Sequence, residues 1–203
     1  VIMDAQTGGE IGLLGIALAH GLVLAALGTA FAPISGGQFN PVVTVALWLV
    51  GKVRTIEGIR YIVAQLVGAA AAGFALKLAF GGFEAGDSAW SIAGGGSPAV
   101  AAGLTQVTAI AIEAVLTAVL VYAVLLTAVD KRAPQLGALL IGGAIIADIM
   151  VGGPLTGAAM NPARWFGPAL ALGDLSAAVV YIVGPLIGAV AAALSVRYLF
   201  AER

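Results

Sequence analysis

The chain has 203 residues, of which 61% are hydrophobic and 9% are charged, and its formal net charge is −1. A soluble domain carries about 25% charged residues, so the composition indicates an integral membrane protein. The small negative charge argues against a nucleic-acid partner, and the absence of cysteine excludes disulfides and thiolate metal sites. With a single histidine, we expect neither a metal site nor a cofactor.

Long apolar segments alternate with two shorter ones along the chain. The predicted membrane spans are 11–33, 60–80, 101–129, 136–152 and 177–200. Two shorter apolar runs go from Asn40 to Gly51 and from Asn161 to Gly173, and they predict helices of about eleven residues. Such a helix is about 17 Å long, roughly half of a bilayer core. Residues 52–60 are predicted to form a polar turn and 81–98 a Gly/Ser-rich connection.

Each short helix begins at an Asn-Pro pair. Both pairs follow the order hydroxyl residue, Gly, three residues, Asn, Pro, and the pairs with the residue after each are Asn40-Pro41-Val42 and Asn161-Pro162-Ala163. Asn caps a helix, and Pro fits its first position, where the missing N–H costs nothing. One such pair would indicate no more than a helix cap. Two of them, on two half-length helices, favour a shared functional role.

The two halves of the chain are copies of each other. Residues 61–72 match residues 181–192 at eight of twelve positions, and Asn161 follows Asn40 by 121 residues. Because three crossings separate equivalent spans, the copies have opposite orientations in the membrane. The remnant of the first copy covers 1–80 and the second copy 101–200, within one transmembrane domain of residues 1–203. The counterpart of span 101–129 would fall at about −20 to 9, so we expect the first of six spans to be missing.

Basic and acidic residues fall on alternate connections. The basic ones are Lys52, Arg54, Arg60, Lys131, Arg132, Arg197 and Arg203, and the acidic ones are Asp4, Glu10, Glu84, Asp87 and Asp174. By the positive-inside rule, the basic connections and the C-terminus are cytoplasmic. Lys77 is the exception, and near a span end its side chain can reach the interface. We expect a multi-pass protein of the plasma membrane.

Glycine is abundant, as is usual where membrane helices pack by close backbone approach. Positions 21, 68, 143, 184 and 188 are predicted to be glycines at helix crossings. They bear on the fold and not on the function.

The two helix starts predict a particular chemistry. If their N-termini meet near the midplane, two positive dipole ends point at one place and repel cations, protons included. The amides of Asn40 and Asn161 could then hold a passing water by its oxygen, which interrupts a proton wire. Arg164 follows in the first helical turn, where a charge costs about 2.5–3.5 kcal/mol at bilayer depth. We therefore expect Arg164 to face a watery cavity; an interfacial anchor is the alternative.

These two loops resemble the paired signature loops of the aquaporin (major intrinsic protein) family. The resemblance covers nearly the whole chain from residue 11, and it departs at Val42, where the family usually has Ala, and at Gln38, where most members have His. It implies an all-α membrane protein: an aquaporin-like bundle with inverted repeats and two re-entrant half-helices around one pore per subunit. It also implies passive diffusion and a homotetramer in the lipid bilayer.

The resemblance further implies a narrow filter toward the extracellular side, formed by His20, Ile149, Ala158 and Arg164. This set is similar to the filter of plant tonoplast intrinsic proteins and not to the Phe-His-Cys-Arg set of strict water channels. Trp165 stands where the glycerol-facilitator subgroup usually has Asp. We therefore expect passage of water and of small neutral solutes (ammonia, urea, hydrogen peroxide, with glycerol as an open case) and exclusion of protons and ions. Without the family, His20 would be read as an interior histidine and Ile149 and Ala158 as packing residues.

Two acidic residues lie inside predicted spans. A carboxylate at Glu113 is costly unless it accepts hydrogen bonds from loop N–H groups or is protonated. In the family the matching Glu braces the second loop, and the resemblance implies the same role; a proton relay is the rival. Asp148 is expected in the outer vestibule, or as a surface cap near the span end.

Three other classes of function stay open at this point. Inverted repeats and broken helices also occur in secondary transporters, although few intramembrane acids are present here. A structural membrane protein that forms tetrameric arrays with negligible flux is a second alternative. An enzyme is the least favoured, because no nucleophile–base pair is visible, and no catalytic residue is predicted.

Overall fold

A computed structural model describes residues 1–81, 89–130, 132–133 and 136–199. Within these ranges all regular secondary structure is helical, and five helices are long and apolar enough to cross a membrane. Four residues used above to orient the chain, Glu84, Asp87, Lys131 and Arg203, lie outside the described residues.

The described helices keep the predicted order of spans and half-helices and include two further short helices. They are α1 (Ile2–Gln6), α2 (Gly12–Ser35), α3 (Pro41–Leu49), α4 (Thr55–Phe80), α5 (Ala89–Ile92), α6 (Gln106–Ala123), α7 (Gly137–Thr156), α8 (Pro162–Leu172) and α9 (Ala178–Leu199). A π-helical segment, Val124–Val129, extends α6, and a 3₁₀ turn, Gly94–Gly96, follows α5. The long helices are the predicted spans, and α3 and α8 are the two half-helices.

Four predicted boundaries are wrong, each for a local reason. The span predicted from 101 begins only at Gln106, because Thr105 caps the helix by accepting a hydrogen bond from Thr108 N. Helix α4 begins at Thr55 and not at 60, because Glu57 accepts a hydrogen bond from the backbone of Arg54 in a capping box. Helices α2 and α7 continue through a proline in the last turn and end only at a glycine in the left-handed region, Gly36 (φ 78°) and Gly157 (φ 76°). A proline near a helix end therefore did not end either helix.

The segment 81–98, predicted as an irregular connection, includes the short helix α5. Trp90 of α5 is buried together with Ile2 of α1 and Ala171 of α8. Neither α1 nor α5 was expected, because both are too short to show a periodic pattern. They form a small apolar cluster at the far end of α8.

Glycines permit two of the closest helix contacts. Gly21 of α2 and Gly142 of α7 face each other so closely that a Cβ on either would collide with the carbonyl oxygen of the other. Gly188 of α9 is equally close to the backbone of α6, so both pairs of spans pack through backbone contact. The prediction is wrong for Gly68 and Gly143, where an added Cβ would meet nothing within 4 Å.

Burial differs between the two sides of the bundle. We compared the share of buried residues in an 18-residue apolar window of each span. This share is 44% in α9 and in extended α6, but 17% in α2 and 6% in α4. The flank formed by α2 and α4 is thus the more open one.

Candidate pore

The two Asn-Pro loops meet at the centre of the bundle and exchange hydrogen bonds. Asn40 Nδ2 donates to the carbonyl oxygen of Met160 at 2.8 Å, and Asn161 Nδ2 donates to that of Phe39 at 2.9 Å. Each asparagine thus contacts the residue that precedes the other asparagine. This reciprocal pair of bonds is what two inverted copies related by a local twofold axis would form.

The same side chains also cap the half-helices. Asn40 Oδ1 accepts from Val42 N at 3.1 Å, and Asn161 Oδ1 accepts from Ala163 N and Arg164 N at 2.9 and 3.2 Å. Pro41 and Pro162 occupy the first helical positions. Because an amide group has two N–H donors, each asparagine retains one after making its bond across the loops.

A cavity of about 1070 Å³ runs beside this junction. Its wall includes both asparagines, Gln38 and Ala163, and the four positions His20, Ile149, Ala158 and Arg164. The structure therefore brings all four residues to the cavity that the asparagines line. Val42 is instead 3% exposed and belongs to the apolar core, so this departure from the family pattern faces the packing of α3 and not the cavity.

Arg164 and His20 place polar side chains on the wall of this cavity. Arg164 Nη1 donates to the carbonyl oxygen of Gly96 at 3.2 Å, which ties the first turn of α8 to the turn after α5. His20 Nδ1 lies 2.7 Å from the carbonyl oxygen of Ile16. Because a carbonyl only accepts, Nδ1 carries the hydrogen, and Nε2 of a neutral ring is left as an acceptor.

The second loop is held by the carboxylate of Glu113, which is fully buried. Its Oε1 accepts from Thr156 Oγ1 and Ala159 N at 2.7 and 2.9 Å, and its Oε2 accepts from Met160 N at 2.7 Å. Tyr181 adds a bond from its hydroxyl to the carbonyl oxygen of Thr156 at 2.8 Å. Four hydrogen bonds from two spans thus fix the backbone that presents Ala158 to the cavity.

The first loop is held differently, by a residue that the sequence did not single out. Gln65 Nε2 on α4 donates to the carbonyl oxygen of Gln38 at 2.9 Å and to Thr44 Oγ1 at 3.0 Å. A lone amide in an apolar span was the available signal, since burying an unpaired polar group in a membrane is costly.

Asp148 does not lie in an outer vestibule or at a helix end, so that prediction is wrong. It is 4% exposed, does not line the cavity, and its Oδ2 has no hydrogen-bond partner among the described residues. The reason is the length of α7, which continues to Thr156 and leaves Asp148 about two turns inside the helix. Within the described residues, no group of three His, Cys, Asp or Glu side chains could hold a metal ion.

Membrane-spanning helices surround a cavity, and the capping amides of the half-helices meet at its wall. These features define a membrane channel with two re-entrant half-helices. The profile of the family described as Major intrinsic protein matches residues 2–196. The chain is 43% identical to aquaporin TIP2-1 of Arabidopsis thaliana over 87% of its own length and 68% of that protein. It is 41% identical to aquaporin TIP4-4 of Zea mays, over 97% and 76% of the two chains.

Its fold is similar to that of the aquaglyceroporin from Plasmodium falciparum, with a TM-score of 0.81 over 93% of this chain and 83% of the other, at 23% identity. The chain belongs to the major intrinsic protein family. It is therefore a multi-pass membrane channel for water and small solutes, and it is not an enzyme.

Proposed function

We propose that the chain conducts water together with small neutral solutes, namely ammonia, urea and hydrogen peroxide, and excludes protons and ions. Glycerol is the largest solute in this proposed range. The observation that carries the proposal is the shared cavity wall of His20, Ile149, Ala158 and Arg164, next to both asparagines. His20 and Ile149 stand where the Phe-His-Cys-Arg set has an aromatic ring and a histidine, and this replacement widens the constriction, which favours solutes larger than water.

In this proposal, the polar groups guide a solute by hydrogen bonds alone. At the filter, Arg164 donates to an oxygen of the solute, while His20 Nε2 accepts a hydrogen from it. At the junction, the remaining N–H groups of Asn40 and Asn161 hold water by its oxygen. The positive ends of α3 and α8 disfavour a cation there, and so does the guanidinium charge at the filter.

The test is stopped-flow light scattering on proteoliposomes, with water and urea permeability measured for the same vesicles. We expect His20→Phe to reduce urea flux at least fivefold with a smaller effect on water, because a larger ring narrows the filter. Arg164→Ala is expected to raise urea flux and to admit cations. Val151→Ala, on the 68% exposed lipid side of α7, serves as the matched control. Equal urea flux with and without protein would contradict the solute range.

We also propose that residues 1–203 form a single channel unit, with the first copy in 1–80 and the second in 101–200. In the membrane this unit is proposed to form a homotetramer in which each subunit conducts alone. The apolar outer faces of the spans support burial in lipid or against other subunits. Native mass spectrometry from nanodiscs gives the subunit number, and a predominant monomer would contradict the tetramer.

The proposed location is the plasma membrane with a cytoplasmic C-terminus. The positive-inside pattern supports the orientation, because Lys52, Arg54 and Arg60 flank the start of α4 and Arg197 lies in the last turn of α9. Relatives named TIP favour the tonoplast as the alternative membrane. Microscopy of a fluorescently tagged chain in its own cell type separates the two membranes.

A further inference from the structure

The outer ends of both half-helices receive a cationic side chain. Lys77 Nζ of α4 donates to the carbonyl oxygen of Ala171 in α8 at 2.8 Å. Arg197 Nη1 of α9 donates to the carbonyl oxygen of Leu49 in α3 at 2.7 Å. Both acceptors lie in the last turn of their half-helix.

Each cation takes a carbonyl that the local backbone leaves without a partner. After α8, Gly173 N bonds to the carbonyls of Ala169 and Leu170. After α3, Gly51 N and Lys52 N bond to those of Trp48 and Leu47. The last carbonyls of a helix otherwise lack partners, and they carry the negative end of its dipole, so a cation is favoured there.

The two contacts are equivalent under the internal repeat, and they cross between the halves. Arg197 follows Lys77 by 120 residues, the offset that relates 61–72 to 181–192. Lys77 of the first half holds α8 of the second half, while Arg197 of the second half holds α3 of the first. The pairing also gives Lys77, the exception to the charge pattern, a partner inside the protein.

We propose that Lys77 positions the filter by holding the far end of α8. Arg197 holds the end of α3 in the equivalent way. This inference rests on the proposed filter. Arg164 lies in the first turn of α8 and Ala171 in its last turn, about 10 Å apart along a rigid helix. Loss of the cation removes the polar contact at the far end of α8 and leaves the apolar packing of Ala171, and a small tilt of the helix then moves the guanidinium at its near end. Helix α3 carries none of the four filter residues.

The experiment compares the urea-to-water permeability ratio and the thermal unfolding of Lys77→Met, Lys77→Arg and Arg197→Met in proteoliposomes. Arg60→Met is the matched control, because Arg60 lies at the opposite end of α4 and makes no side-chain hydrogen bond among the described residues. We expect Lys77→Met to change the ratio at least twofold and Lys77→Arg to restore at least half of that change. Lys77→Met and Arg197→Met should each lower the melting temperature by about 1–3 °C.

The outcomes separate this inference from the proposed function. A Lys77→Met ratio equal to that of Arg60→Met overturns the inference if Arg164→Ala changes the ratio in the same assay. If Arg164→Ala leaves the ratio unchanged as well, the proposed filter itself fails. A change in Arg197→Met as large as that in Lys77→Met contradicts a specific action through α8. A ratio change in Lys77→Met that Lys77→Arg reverses supports the inference.

Discussion

The two re-entrant loops have the same Asn-Pro pair and the same mutual contact, but they are stabilised in different ways. At the second loop, Thr156 Oγ1, Ala159 N and Met160 N donate hydrogen bonds to the buried carboxylate of Glu113. At the first loop, the carbonyl oxygen of Gln38 and Thr44 Oγ1 accept hydrogen bonds from the neutral amide of Gln65. Hydrogen bonds to a charged group are the stronger kind. Among the described residues, the two loops therefore share the geometry of their asparagines and have different hydrogen-bond partners.

The backbone conformation of the two loops differs as well. In the first loop the left-handed positions are Gly36 (φ 78°) and Gly37 (φ 62°). In the second loop Ala158 (φ 44°) and Met160 (φ 50°) adopt positive φ although they have side chains. Such residues cost about 1–3 kcal/mol each and persist only where the surroundings enforce them. The second loop thus places a methyl group at the cavity wall, and the carboxylate holds it there.

The largest effect is expected for Glu113→Leu. The carboxylate accepts from Ala159 N and Met160 N, and the substitution leaves both groups without an acceptor inside the protein. The free energy of unfolding should therefore fall by about 3–5 kcal/mol. Tryptophan fluorescence during thermal unfolding in detergent measures this, since Trp165 is buried beside the loop. Glu57→Gln, at a partly exposed carboxylate, is the control. A loss no larger than that of the control would mean that Glu113 does not support the loop.

The next effect is expected for Gly37→Ala in the first loop. A Cβ there would lie 3.0 Å from the carbonyl oxygen of Gly28 at a φ that alanine disfavours, so we expect a loss of about 1–3 kcal/mol in the free energy of unfolding. Gly143→Ala, in a helix with open space around it, should be neutral or slightly stabilising. Similar melting curves for the two variants would contradict the role assigned to Gly37.

A smaller effect is expected for Gln65→Leu, which removes two neutral hydrogen bonds at a half-buried site and should cost about 1 kcal/mol. Hydrogen exchange followed by mass spectrometry should show faster exchange in residues 36–40, with residues 157–161 unchanged. Faster exchange in the second loop alone would show that Gln65 supports a different part of the protein.

The smallest effect on stability is expected for Ala158→Gly. It relieves the strain at φ 44° but adds freedom to the unfolded chain, so the two terms offset to within about 1 kcal/mol. Urea permeability should rise, because a methyl group leaves the cavity wall. The control, Ala159→Gly, removes a buried methyl group at a residue without positive φ and should destabilise the protein more. The reverse order of stability would contradict the strain at Ala158.

The parts of this structure that the sequence predicted are those with local signals. Five spans, two half-helices and the capping role of both asparagines followed from hydropathy and from the Asn-Pro pairs. Gln65 and Tyr181 were missed, and the hydrogen-bond partner of Lys77 was not predicted, because each of the three bonds to a residue distant in the chain. Asp148 was misplaced because Pro154 concealed the true end of α7. The roles of the filter residues stay predictions, since proximity to a cavity does not measure selectivity.

The crossed contacts between the halves have a consequence for biosynthesis. When the first loop leaves the ribosome, the carbonyl that Asn40 needs belongs to Met160, and the cation for Leu49 belongs to Arg197, and neither has yet been translated. The side-chain amide of Asn40 therefore lacks this acceptor until residue 160 has been translated. Each loop therefore has its full set of these contacts only when both halves of the chain are present.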